Sequence, residues 1–167
     1  SRGTAYGPAN VVVTPGGKPI MFYLILALLD EGDEAIYPDP GFPIYRSMID
    51  FVGAKAVPLP IREENEFRLD IAELESLITP RTRLLIINSP ANPTGRLDDL
   101  GAAATRGRRH GIPVFSDECY VEFTWSGRGR TILEHGHDGV LAVHSLSKRS
   151  NLAGTRVGFY AGDPDVV

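Results

Sequence analysis

Seven short runs of apolar, largely β-branched residues recur along the chain, at 11–14, 34–37, 55–59, 83–88, 113–117, 140–145 and 156–161. Several are continuous rather than alternating, as in strands covered on both faces of a sheet. Between them the apolar period lengthens. Apolar residues at 20, 21, 24, 25, 28 and 29 form a helical stripe across 17–30, with Pro19 in the first turn, where a missing N–H is tolerated. Asp70 and Glu73 form a D-x-x-E capping signal ahead of a face made by Ile71, Leu74, Leu77 and Ile78. A weaker helix, diluted by Gly101 and Gly107, spans 97–110, and a short one starting at Pro43 spans 43–52.

This alternation predicts an α/β fold, a three-layer sandwich around a mostly parallel seven-stranded sheet. The last connection departs from it. Ten residues separate Ser145 from Arg156, fewer than the dozen or more that a parallel crossover takes, so the final strand is expected to run antiparallel. Ligands of such sheets sit beyond the carboxyl ends of the parallel strands. Those ends carry "TPGGKP", "YPDPGFPIY", "NSPANPTG", "SDECY" and "SLSK". In the first, glycines let backbone N–H groups approach an anion at a helix start, whose dipole favours negative charge; an ordinary strand-to-helix turn reads the same way. It is not a nucleotide P-loop, because G-x-x-x-x-G-K-[ST] is unmatched and Pro19 follows Lys18. Asp117 closes an apolar run, so its carboxylate is expected to be poorly hydrated and to want a cation. Asn92 taken alone is turn chemistry and Phe42 taken alone is core. Convergence of all five clusters on one rim favours a site over five unrelated turns.

Composition narrows the partners. With 167 residues the chain has about one domain's worth of core, and 43% hydrophobic and 23% charged residues with net charge -4 leave no basic excess for nucleic acid or an anionic membrane. The longest apolar run, 20–29, has ten residues, well short of the roughly 20 of a membrane-spanning helix. Cys119 is the only cysteine, which rules out an intrachain disulfide and fits a reducing cytoplasm; its plain reading is a small buried hydrophobe. "SLSK" satisfies S-x-x-K with Ser145 as nucleophile, but the accompanying S-D-N and K-T-G are missing, as is a G-x-S-x-G elbow. "HGH" at 135–137 has only Glu134 and Asp138 nearby as further ligands, too little for a metal site. Residues 1–10 contain no leader-like apolar stretch, and a start without methionine suggests a fragment.

"NPTG", then "SDE" with Tyr120 close behind, then S-x-S-K with Arg156 eight residues beyond Lys148, occur in an order that resembles the fold-type I pyridoxal-phosphate enzymes. The resemblance is to class I/II aminotransferases related to aspartate aminotransferase, and the second half is most similar to N-succinyldiaminopimelate aminotransferases. It implies pyridoxal 5′-phosphate as cofactor and transamination between an amino acid and a 2-oxo acid. It implies that Lys148 holds the cofactor as a Schiff base and then shuttles a proton at the substrate Cα. Ser145, Ser147 and Arg156, with the backbone N–H groups of Gly17 and Lys18, would bind the phosphate. Asp117 would pair with the pyridine nitrogen, Tyr120 and Asn92 would hydrogen-bond the ring 3-oxygen, and Phe42 would stack on the ring. The resemblance also implies a homodimer. A carbon–sulfur lyase or a cofactor-binding sensor domain stays open, because reaction choice depends on substrate-domain residues.

The chain departs from that family in extent. Members run to about twice this length. The arginine that grips a substrate carboxylate and the N-terminal tyrosine segment have no counterpart; "SRGTAYGP" holds Tyr6 in a different context. Spacing between "NPTG" and "SDE" is slightly short. The expectation is a single cofactor-binding large domain over 1–167, without the small domain, that alone binds the cofactor weakly or transaminates poorly.

Overall fold

Apolar runs and helical stripes become strands and helices close to where the pattern places them. The computed structural model describes residues 6–125 and 127–167. In chain order it contains β1 (Val11–Thr14), α1 (Gly17–Leu28), β2 (Glu34–Asp39), α2 (Ile44–Phe51), β3 (Lys55–Pro60), α3 (Ile71–Leu77), β4 (Thr82–Asn88), α4 (Leu100–His110), β5 (Val114–Asp117), β6 (Val140–Ser145), α5 (Leu146–Arg149) and β7 (Gly158–Gly162). The strands form one sheet in the order β1-β7-β6-β5-β4-β2-β3. Strands β3, β2, β4, β5 and β6 are parallel, and β7 runs antiparallel to both β6 and β1, as the short last connection requires.

Each face of the sheet has its own core. Along β4, Leu84 and Ile86 pack with Ile20, Leu24 and Ile25 of α1 and Tyr45 and Ile49 of α2. Their neighbours Leu85 and Ile87 point the other way and pack with Leu74 of α3 and Leu100, Ala103 and Ala104 of α4. That alternation explains why β4 reads as a continuous apolar run: both of its faces are dry. Each such buried side chain contributes about 1.5 to 3 kcal/mol of transfer free energy.

Element ends depart from the sequence pattern for local reasons. The last strand begins at Gly158 rather than 156, because Arg156 adopts a left-handed backbone (φ 52) after the 3-10 turn Ala153–Thr155 and cannot join a pleated ladder. Helix α1 stops at Leu28, with Leu29 already extended. Helix α4 starts at Leu100, where the Asp99 carboxylate accepts from Ala102 N at 2.9 Å. Asp70 caps α3 as expected, accepting from Ala72 N and Glu73 N. The Glu73 carboxylate does not close a reciprocal box, because it pairs with Arg62.

Candidate active site

A cavity of about 260 Å³ opens at the carboxyl ends of the parallel strands. Its lining includes every residue the sequence marks, namely Gly17, Lys18, Phe42, Asn92, Asp117, Tyr120, Ser145, Ser147, Lys148 and Arg156. Met21, Cys119 and Ala153 complete it. These side chains come from α1, α5, five loop or strand ends and the approach to β7.

Asp117 forms the floor. It ends β5 and is 4% exposed. Its Oδ2 accepts from the Tyr45 hydroxyl at 2.7 Å and its Oδ1 from Cys119 N at 3.1 Å. Burial pushes the carboxyl above its ordinary range, and the Tyr45 and Cys119 hydrogen bonds pull it partly back. Burial and the adjacent carboxylate hold the Tyr45 hydroxyl well above its usual value, so it stays a donor. The sequence leads one to expect a cation beside Asp117, but both hydrogen-bond partners found there are neutral. A buried carboxylate with only neutral donors is electrostatically incomplete, and a protonated ring nitrogen would complete it.

Another part of the lining suits an anion. Helix α1 begins at Gly17 after Gly16, whose φ of 96 suits glycine, and its first-turn N–H groups have no intrahelical acceptor. The Arg156 guanidinium lies against this turn so closely that a Cβ on Gly16 would come within 2.3 Å of Nη2. Arg156 Nη1 donates to Ala153 O at 3.0 Å and to Ser147 Oγ at 3.4 Å. The reversed direction of β7 brings this arginine to the site: the start of an antiparallel strand lies at the carboxyl rim of its neighbours. Ser145 is buried, and its oxygen caps α5 by accepting from Ser147 N at 3.2 Å, a structural duty that spacing does not disclose. Lys148 stands exposed at the mouth, on α5.

Two loops complete the walls. Asn88, at the end of β4, donates from Nδ2 to Asp117 O at 2.9 Å and accepts from Asn92 N at 2.6 Å, which ties the "NPTG" loop to β5. Phe42 meets Tyr45 edge-on with centroids 5.8 Å apart, and Lys18 Nζ lies 6.0 Å from the Phe42 centroid. Tyr120 stands edge-on to Phe123 at 6.0 Å. Half-buried Cys119 packs against the core, as its plain reading has it, and burial pushes its thiol up. Sequence reasoning missed Tyr45 and Asn88. A signal for the first exists in hindsight: Tyr45 shares a helical face with Ile49, and a buried tyrosine hydroxyl must find an acceptor.

Among the described residues no three His, Cys, Asp or Glu side chains gather to hold a metal ion. His137 pairs with Asp138 at 2.7 Å, while the Tyr6 hydroxyl donates to Gly136 O at 3.1 Å. No helix of the described residues is long and apolar enough to cross a membrane.

Comparison with known proteins agrees with this geometry. Residues 1–167 match the family aminotransferase class I and II. An aspartate aminotransferase of Geobacillus stearothermophilus is 34% identical over 173 aligned positions, covering 99% of this chain and 44% of that protein. A probable aspartate/prephenate aminotransferase of Aquifex aeolicus is 34% identical, covering 93% of this chain and 41% of that protein. The solved structure of the aspartate aminotransferase from Thermus thermophilus with maleate superposes with a TM-score of 0.94 at 33% identity, covering 98% of this chain and 44% of that one. Such coverage means that the chain spans less than half the length of these relatives. The chain belongs to the class I and II aminotransferases, a pyridoxal-phosphate-dependent family.

The residues present fit that cofactor. The cavity is lined by a buried carboxylate whose hydrogen-bond partners among the described residues are neutral, by a guanidinium pressed on a glycine turn at a helix start, and by a primary amine.

Proposed function

We propose that the chain is the cofactor-binding large domain of an enzyme that transaminates between an amino acid and a 2-oxo acid. The observation that carries this reading is the gathering on one cavity of buried Asp117, whose hydrogen-bond partners among the described residues are neutral, with Arg156, Ser147 and the start of α1. When bound, pyridoxal 5′-phosphate supplies a carbonyl carbon for an amine and a ring that accepts electrons as a Cα–H bond breaks. Arg156, Ser147, Ser145 and the N–H groups of Gly17 and Lys18 would hold its phosphate, the arginine as a planar fork. Asp117 would keep the ring nitrogen protonated. Asn92 and Tyr120 would donate to the ring 3-oxygen, and Phe42 would cover one ring face. Lys148 Nζ would hold the cofactor at its carbonyl carbon and, once displaced, take the proton from the substrate Cα and return it. Names of relatives that act on aspartate or prephenate support an amino-acid and oxo-acid substrate pair. We also read the working form as a homodimer in the cytoplasm, the first from the resemblance and the second from the single cysteine.

The test is chemical. The chain with added pyridoxal 5′-phosphate should develop a visible absorption band that borohydride reduction fixes covalently. Peptide mapping should then place the label on Lys148, and Lys148→Ala should abolish it. A label spread over other lysines, or no band, would remove the reading. Amino acids added before reduction should yield the matching oxo acid; ammonia with pyruvate would indicate a lyase instead.

A further inference from the structure

One buried hydroxyl reaches the cavity from behind its wall. Tyr45 is 0% exposed on α2 and does not line the cavity, yet its hydroxyl contacts Asp117, 72 positions away, at 2.7 Å. Its ring is held by the core around α1 and α2 and by the edge of Phe42. The remaining contacts on the carboxylate come from Cys119, through its backbone N–H at 3.1 Å and its thiol. Each carboxylate oxygen has two acceptor positions, so these bonds leave room for a further donor on the cavity side.

The chemistry gives the hydroxyl a task. A carboxylate and a pyridine nitrogen compete for one proton. Burial favours a neutral carboxyl group, whereas donated hydrogen bonds favour its anion. Where the anion wins, the proton stays on the ring.

We propose that Tyr45 is a positioning residue that keeps Asp117 ionised and aimed into the cavity, so that the shared proton resides on the cofactor's ring nitrogen. The proposal rests on the cofactor reading given above. A purely structural tyrosine would fill volume and satisfy its own hydroxyl, and its loss would weaken any ligand of the cavity equally. A positioning tyrosine acts only on ligands that carry the ring nitrogen.

The experiment uses that difference. Dissociation constants are measured by absorbance and fluorescence titration for pyridoxal 5′-phosphate and for its 1-deaza analogue, which has C–H in place of the ring nitrogen. Both ligands are titrated into the unsubstituted chain and into Tyr45→Phe, which deletes one oxygen and retains the ring. The variant should bind pyridoxal 5′-phosphate roughly tenfold more weakly, the scale of one hydrogen bond to a charged group. Its affinity for the deaza analogue should stay within about twofold, within the few tenths of a kcal/mol by which contact bookkeeping errs. The ratio of the two constants is taken within one protein, so partial loss of folded chain cancels. Ring-15N-labelled cofactor gives a second readout: the protonated-nitrogen shift should be present in the unsubstituted chain and diminished in the variant. Equal loss for both ligands, or an unchanged ratio and shift, overturns the proposal and leaves Tyr45 a packing residue. If the unsubstituted chain already binds both ligands equally, the placement of Asp117 at the ring nitrogen fails, and the role of Tyr45 with it.

Discussion

Two buried carboxylates at opposite rims of one sheet are treated in opposite ways. Glu34 opens β2 at the amino rim and is 1% exposed; Asp117 closes β5 at the carboxyl rim and is 4% exposed. Around Glu34 the chain supplies the Thr79 hydroxyl at 2.6 Å, Lys55 at 3.0 Å and Arg81 at 3.1 Å. The Thr79 and Lys55 hydrogen bonds, helped by Arg81, hold its carboxyl down at about 2. Around Asp117 the chain supplies a hydroxyl, an amide and a thiol, and burial wins, so that carboxyl is pushed up. The opposite shifts follow from depth as well as partners: Asp117 lies deep, where burial is the largest cause, whereas Glu34 sits at the rim beside largely exposed Lys55 and Arg81, where hydrogen bonds outweigh burial. At the amino rim the fold answers the charge itself, whereas at the carboxyl rim it leaves the charge for a ligand to answer, which costs the ligand-free chain stability.

Asp117→Asn tests that contrast most severely. It should weaken binding of pyridoxal 5′-phosphate by about a hundredfold, the upper range for a charged hydrogen bond. The urea midpoint of the cofactor-free chain should hold or rise, because an uncompensated buried charge has gone. A fall in both would make Asp117 a structural residue like Glu34. Glu34→Ala should do the reverse, lowering the unfolding free energy by about 2 kcal/mol while leaving cofactor affinity unchanged. The pH dependence follows from the signs. Glu34 is lowered from 4.5 to about 2 in the folded chain, so its contribution is complete above its unfolded value and is lost as pH falls through that window. Replacing it should flatten the acid side of the stability curve between those two values. Asp117 is raised, so the ligand-free fold gains from its protonation at low pH and loses that gain as pH rises. The smallest effect belongs to the anion end. Gly16→Ala would put a methyl group where the Arg156 guanidinium lies, at a φ of 96 that suits glycine. It should weaken pyridoxal 5′-phosphate roughly tenfold and leave unphosphorylated pyridoxal unaffected, as titration of both would reveal.

Much of the carboxyl rim is legible in the sequence. Continuous apolar runs locate the strands, and the polar clusters ending them converge wherever parallel strands share a direction. The short link from Ser145 to Arg156 foretells the reversal of β7, and that reversal places Arg156 beside Gly16. What escaped was any partnership spanning distant segments. Tyr45 looks like one aromatic among several on a short helix until α2 packs on the sheet with its hydroxyl over Asp117. Ser145 keeps its place on the cavity, and its oxygen in addition caps α5, a local duty that the motif does not announce. Asn88 ends an apolar run without announcing that it bridges two loops.

The sequence by itself determined the order of strands and helices along the chain, the antiparallel last strand and the polar clusters that meet at one rim. These follow from periodicity, turn chemistry and connection length, all of which act between near neighbours. Only the tertiary structure decided which buried carboxylate is neutralised and which is left waiting. That outcome depends on donors arriving from dozens of residues away, and the energy of a buried charge is set by whatever stands within a few ångströms of it, whatever the distance along the chain.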